Sequence, residues 1–173
     1  MLILLFFAYT QVKAQGPIEI PEGTSISMEC PLNLFAKLPK SADLKVSRIV
    51  KPGDTVMFNI TENVFRNSKL LIDTNSKVLA VVTTVNGITR GPGQPFTMQG
   101  SGLLASMEDN GGGDIRVEML HVLTPDKQTI PLSDCWIYVT AQENPIPKSK
   151  GAVLVKGTRK NCTTKIKTVI NSK

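Results

Sequence analysis

The middle of the chain carries the clearest pattern of hydrophobic and polar positions. Val56, Phe58 and Ile60 recur at every second residue, which is the period that places side chains on one face of a β-strand. The run Val78–Val82 is continuously apolar, which is typical of a strand buried on both faces. The turn-forming cluster Asp73–Ser76 precedes it. This part of the chain is therefore predicted to form short strands joined by turns.

Further short strands are predicted towards the C-terminus. The alternation in 115–123 places His121 on the apolar face, and that in 135–140 places Trp136 opposite Ile137. Thirteen Gly and eleven Pro residues supply many turns. About eight to ten short strands at this spacing favour an all-β fold. We predict an antiparallel β-barrel or β-sandwich with a basic C-terminal tail or hairpin.

The N-terminal end is interpreted as a secretory signal. The apolar run Leu2–Tyr9 is too short to span a bilayer, and Ala14 provides a small residue at a predicted cleavage point. A buried N-terminal strand is the alternative, because no Lys or Arg precedes the run. We predict a signal peptide at 1–14, a β domain at 15–143 and a basic extension at 144–173. The mature protein is expected to be extracytoplasmic: periplasmic, outer-membrane-associated or secreted.

The positive charge of the chain is concentrated at its C-terminal end. The 173 residues carry a net charge of +6, and eight basic and no acidic residues follow Glu143, so the preceding part sums to 6 − 8 = −2. Such a segment can bind an acidic protein, an anionic glycan or lipid headgroups. It has no aromatic residues to stack bases, so nucleic acid is not favoured. The predicted partner-binding residues are Lys156, Arg159, Lys160, Lys165 and Lys167. The alternative is a solvated edge hairpin whose lysines discourage sheet-to-sheet pairing.

The three cysteines, Cys30, Cys135 and Cys162, predict one disulfide and one free thiol in an exported chain. Three pairings exist, and the sequence does not choose among them. We favour Cys135–Cys162, which would fasten the basic segment to the strand at 135–140. Three reduced, buried cysteines are the alternative.

Candidate catalytic chemistry is sparse. His121 is the only histidine, so a Ser-His-Asp or Cys-His site would have to use it. Its place on an apolar strand face favours a packing role instead. No metal site is predicted, because one histidine and no Cys-x-x-Cys spacing leave too few ligands. No cofactor is predicted either.

A series of turn and strand signatures resembles bacterial exported β-domains, a family of mostly unassigned function. It comprises Ile20–Thr24 (Ile-Pro-x-Gly-Thr), Pro52–Phe58 (Gly-Asp-x-Val-x-Phe), Lys69–Val78, the Gly-rich stretch Gly87–Gly93, and Asp126–Leu132, which ends in Ile-Pro-Leu. The resemblance covers about 20–140 and departs at 72–76, where a second Pro-x-Gly-Thr is expected. It implies export and a β-barrel-like fold, and it carries no catalytic residue over.

Together these observations predict a non-catalytic structural or interaction subunit of the cell envelope. It would dock on a protein partner or complex partly through its basic C-terminal segment. One alternative is a carbohydrate- or polyanion-binding module. The second is a small hydrolase that uses His121.

Overall fold

The computed structural model describes residues 16–36, 45–85, 88–89, 97–98, 114–140 and 151–171. These residues form an all-β protein. The predicted signal peptide at 1–14 and most of the Gly-rich region lie outside the described residues. The strands are β1 (Ile18–Ile20), β2 (Ser25–Glu29), β3 (Asn33–Phe35), β4 (Ser47–Ile49), β5 (Thr55–Ile60), β6 (Val64–Arg66), β7 (Lys69–Ile72), β8 (Lys77–Val85), β9 (Ile88–Thr89), β10 (Thr97–Met98), β11 (Asp114–Leu123), β12 (Thr129–Pro131), β13 (Trp136–Thr140), β14 (Val153–Leu154), β15 (Arg159–Thr163) and β16 (Thr168–Ile170).

No helix in these ranges has the length and apolar character that crossing a bilayer requires.

The main sheet has nine antiparallel strands. β8 lies at its centre, since β11 pairs along one edge and β5 and β9 pair along the other. From β5 the sheet continues through β2 to β15, and from β11 it continues to β12 and β13. The strand order is therefore β15, β2, β5, β8 and β11, followed by β12 and β13, which both pair with β11.

The sheet curls until its two ends meet. Leu132, between β12 and β13, forms an antiparallel bridge with Thr164, directly after β15. Next to this bridge the Ser133 N–H donates to the Thr163 carbonyl at 2.8 Å. We call this junction the seam. Because the sheet curls on itself, the inward side chains of all these strands contribute to one hydrophobic core.

Thr164 ties the β1–β2 turn to the seam. Its side chain is only 1% exposed. Its hydroxyl donates to the Pro21 carbonyl at 2.6 Å and accepts from the Thr24 N–H at 3.0 Å. A buried hydroxyl with both functions satisfied stabilises the junction, because leaving either backbone group unpaired would be costly.

Short sheets cover the main one. β1 pairs antiparallel with β16, and β6 with β7. β3 lies between β14, which is antiparallel to it, and β4, which is parallel. β3 forms a strand because these two neighbours supply backbone partners along both of its edges.

The alternation read from the central stretch is confirmed. Val56, Phe58 and Ile60 are buried, whereas Met57 is 41% exposed. In β8, every residue from Ala80 to Val85 is buried, as expected for a strand covered on both faces.

The predicted orientation of His121 is wrong. Leu120 is an extra residue between Met119, which lies opposite Ala80, and His121, which lies opposite Leu79. Such a bulge reverses the facing of the residues that follow it. Val122 is therefore fully buried, and His121 is half-buried on the other side of the strand.

The described strands of 144–173 are interleaved with those of 15–143. β14, β15 and β16 pair with β3, β2 and β1, respectively. The C-terminal strands are thus part of the sheets. The boundary at residue 143 falls outside the described residues and stays a prediction.

Candidate functional site: a basic strip and a pocket at the seam

The disulfide between Cys135 and Cys162 is confirmed. The two Cα atoms lie 5.8 Å apart, within the usual range for this bond. The bond crosses the seam, joining the residue before β13 to β15. A disulfide indicates an oxidising, extracytoplasmic environment.

Cys30 is the free cysteine among the described residues. It is fully buried and its thiol donates to the Leu32 carbonyl at 3.1 Å. Burial raises the pKa of the Cys30 thiol to about 11, because a thiolate would lose its hydration there.

The predicted partner-binding residues lie on β15 and on the segments that flank it. We call them the basic strip: Lys156, Arg159, Lys160, Lys165 and Lys167. Two of them have acidic neighbours. Lys167 Nζ lies 2.8 Å from Glu19 Oε1, and Arg159 Nε lies 4.0 Å from Glu29 Oε2. All four side chains of these pairs are at least a third exposed, so both pairs contribute little to stability.

The other three members have no salt bridge to the described part of the chain. Lys156 and Lys165 are exposed, and Lys160 is half-buried. Their charges are therefore available to a partner. The segment 151–171 contains no acidic residue of its own, and within the described ranges the strip forms salt bridges with Glu19 and Glu29.

Exposed apolar side chains accompany the basic residues between β15 and the end of β16. Ile166 is 54% exposed and Val169 is 58% exposed. Ile166 lies between Lys165 and Lys167, and Val169 follows two residues after Lys167. This mixture of apolar and cationic groups suits a protein surface better than a purely anionic polymer, which offers nothing to the apolar side chains.

Trp136 projects from the outer face of β13 and is 45% exposed. The guanidinium of Arg116 lies over its ring, 4.8 Å from the centroid. Tyr138 is the residue of β13 directly opposite Arg116, so the contact with Trp136 is a diagonal one across the strand pair. The cation–π interaction holds the exposed indole in place.

Tyr138 is held in place by a hydrogen bond. It is 50% exposed, and its hydroxyl donates to Asp114 Oδ2 at 2.7 Å. Asp114 lies opposite Thr140, so this contact is also diagonal. Trp136 and Tyr138 are two residues apart and share the outer face of β13. We call them the aromatic pair.

A shallow cavity of about 250 Å³ opens beside Trp136 at the seam. We call it the seam pocket. Its walls combine the indole and the disulfide with hydroxyl, amide and charged groups. Its lining residues include Ser133, Asp134, Trp136, Lys160, Asn161 and Thr163. Lys160 is thus a member of both the basic strip and the pocket.

A larger cavity of about 760 Å³ lies between the β6–β7 hairpin and the β1–β16 pair. Ser76, at 1% exposure, lines it, and its Oγ has no hydrogen-bond partner among the described residues. Asn67 and Ser68, both with left-handed backbone, lie on the same wall. Its volume lies within the usual range for ligand cavities, about 300–1,000 Å³.

The hydrolase alternative requires a nucleophile beside His121. Within the described ranges no hydrogen bond joins the His121 imidazole to a serine or cysteine. Cys135 is held in the disulfide, and the Ser133 hydroxyl accepts from Thr163 Oγ1 at 3.2 Å. The hydrolase alternative stays a prediction.

No family model matches the chain, and no curated protein is significantly similar to it. The resemblance to bacterial exported β-domains therefore stays a prediction, and function has to be argued from the residues.

The sequence pattern did not predict the seam pocket or the aromatic pair. The alternation in 135–140 did place Trp136 on the face opposite the core. It could not show that Arg116 would lie over the ring, because that contact depends on the register between β11 and β13.

Proposed function

We propose that the protein is a non-catalytic, extracytoplasmic interaction subunit of the cell envelope that docks on a protein partner partly through the basic strip. The observation that carries the proposal is the surface around the β15–β16 connection. There the exposed Ile166 lies between Lys165 and Lys167, and the exposed Val169 follows two residues after Lys167. Interfaces that bind proteins combine an apolar centre with charged groups that steer the partner.

Point substitutions are needed to test the proposal, because truncation at residue 143 would remove β15 and leave β2 unpaired along one edge. The test variant combines Lys156→Glu, Lys165→Glu and Ile166→Ser. None of the three positions forms a salt bridge within the described residues, and all three side chains are exposed. The matched control, Lys51→Glu with Lys69→Glu, reverses two exposed lysines elsewhere.

The measurement is affinity capture from envelope extract followed by mass spectrometry, then titration of the purified partner against each variant. We expect one stoichiometric protein partner that binds the wild type and the control equally. The test variant should bind at least tenfold more weakly. Binding by all three proteins alike, or by none, would overturn the proposal.

Salt separates this function from polyanion binding. A partner held by apolar contacts should remain bound at about 0.5 M NaCl, where the screening length falls below about 5 Å. Capture that is lost completely at that concentration, and is replaced by retention on an anionic resin at low salt, would favour the polyanion-binding alternative.

A further inference from the structure

We propose that the aromatic pair and the seam pocket form a binding site for a neutral oligosaccharide, with one pyranose ring stacked on Trp136 and its hydroxyl groups bound in the pocket. This goes beyond the proposed partner docking, because it involves a different ligand and a surface centred on β13 that shares only Lys160 with the basic strip.

The two rings of the aromatic pair are held in position before any ligand binds. Single exposed hydrophobic residues are ordinary, but here both rings lie on one strand face and each is held by a charged side chain of β11. The two positions are about 7 Å apart along the strand. Because the rings are already fixed, a ligand that stacks on them loses little affinity to side-chain ordering.

The chemistry of the site fits a sugar. The face of an aromatic ring carries partial negative charge, and the C–H groups on one face of a pyranose carry partial positive charge. Arg116 covers Trp136 from one direction, and the indole still lines the seam pocket. A ring stacked there would bring its hydroxyls towards the carboxylate of Asp134 and the amide of Asn161.

The charges at the site disfavour an anionic ligand. Arg116 and Lys160 carry two positive charges. Asp134, Glu118 (opposite Trp136) and Asp114 (bonded to Tyr138) carry three negative charges, so the sum is 2 − 3 = −1. A polyanion would meet the repulsion of the three carboxylates, whereas an uncharged sugar can accept hydrogen bonds from the cations and donate them to the carboxylates. The size of the pocket, about 250 Å³, suits one ring of a chain.

Trp136 provides the readout, since it is the only tryptophan of the chain. Its fluorescence reports this site alone. The full-length protein is titrated with cellohexaose, mannohexaose and chitohexaose as neutral probes and with hexagalacturonate as the anionic one. We expect a saturable fluorescence change with at least one neutral probe, at a dissociation constant below about 1 mM, and little dependence on salt.

The variants Trp136→Ala and Asp134→Asn are compared by isothermal titration calorimetry. We expect Trp136→Ala to weaken binding at least tenfold and Asp134→Asn about fivefold. Phe65→Ala, which removes a 59% exposed aromatic ring on the β6–β7 hairpin, should bind as the wild type does. Circular dichroism checks that each variant keeps the fold.

Three outcomes would overturn the inference: no neutral probe binding with a dissociation constant below about 1 mM, binding that is unchanged in both pocket variants, or binding of the anionic probe alone with loss in salt. None of these bears on the partner-docking proposal, because Lys156, Lys165 and Ile166 are unchanged in this experiment.

Discussion

Burial decides what Cys30 can do. Cys135 and Cys162 meet across the seam and form the disulfide, whereas Cys30 is fully enclosed by the core. Only a thiolate attacks disulfides or alkylating reagents. With its pKa at about 11, roughly one Cys30 in a thousand is a thiolate at pH 8, and the folded protein shields even that fraction.

Alkylation of Cys30 should therefore require unfolding. We expect iodoacetamide to leave the native protein unmodified at pH 8 and to modify one cysteine in urea, as counted by intact mass under non-reducing conditions. Rapid labelling of the native protein would contradict the assigned burial.

The same pKa gives stability a defined pH dependence. The unfolded thiol ionises near pH 9, whereas the folded thiol stays protonated up to about pH 11. The stabilisation is thus fully present below pH 9 and is lost as the pH rises from 9 to 11, at about 1.4 kcal/mol per pH unit. Urea unfolding between pH 7 and 10.5 should show this decline relative to the variant Cys30→Ala. Parallel curves for the two proteins would exclude it.

At the scale of single elements, local patterns predicted most strands but not their irregularities. The period of two in β5 fixes which side chains are buried, because a strand that faced the other way would expose Phe58 and its apolar neighbours to water. The bulge at Leu120 has no local signature. It arises from the register that β8 imposes on β11, so the facing of His121 could not be read from its own segment.

In the turn of the β6–β7 hairpin, one of the two residues suits its backbone conformation and the other does not. Asn67 and Ser68 have φ values of 49° and 62°, so both are left-handed, as in a two-residue type I′ hairpin loop. Asn tolerates this conformation well, whereas serine does so at a cost.

Replacing Ser68 with glycine should stabilise the protein. We expect Ser68→Gly to raise the free energy of unfolding by about 0.5–1 kcal/mol, since glycine removes the steric cost at positive φ. The melting temperature should rise by about 2 °C, measured by calorimetry. Ser68→Ala is the control and should give no gain. An equal gain from alanine would show that the serine hydroxyl, and not the backbone conformation, is unfavourable.

At the scale of the whole molecule, the seam explains what the sequence left open. Three cysteines allow three pairings, and only the folded register chooses one. The bridge between Leu132 and Thr164 brings the start of β13 beside β15, so Cys135 and Cys162 are neighbours. The seam pocket depends on the same register, because its walls come from segments that lie far apart in the sequence.

Removing the disulfide should weaken the seam without abolishing the core. The bond closes a loop with a sequence separation of 27, for which the loss of unfolded-chain entropy is worth about 3.5 kcal/mol. We expect the pair Cys135→Ala and Cys162→Ala to lower the free energy of unfolding by roughly that amount in urea. Cys30→Ala gives the comparison for loss of a cysteine without loss of the bond. Equal stability of wild type and double variant would show that the bond adds nothing to the hydrogen-bonded junction.

The pairing of the first strands with the last ones sets the order in which the chain can fold. Ser25 pairs with Thr163, a separation of 163 − 25 = 138 residues. Contacts this distant slow folding, since the intervening chain must be ordered before they form. A chain that crosses a membrane amino end first would carry β2 with one unpaired edge until β15 arrives, and open edges recruit other strands. The time for which that edge stays unpaired, and whatever covers it during that time, would determine how much of the protein folds and how much aggregates.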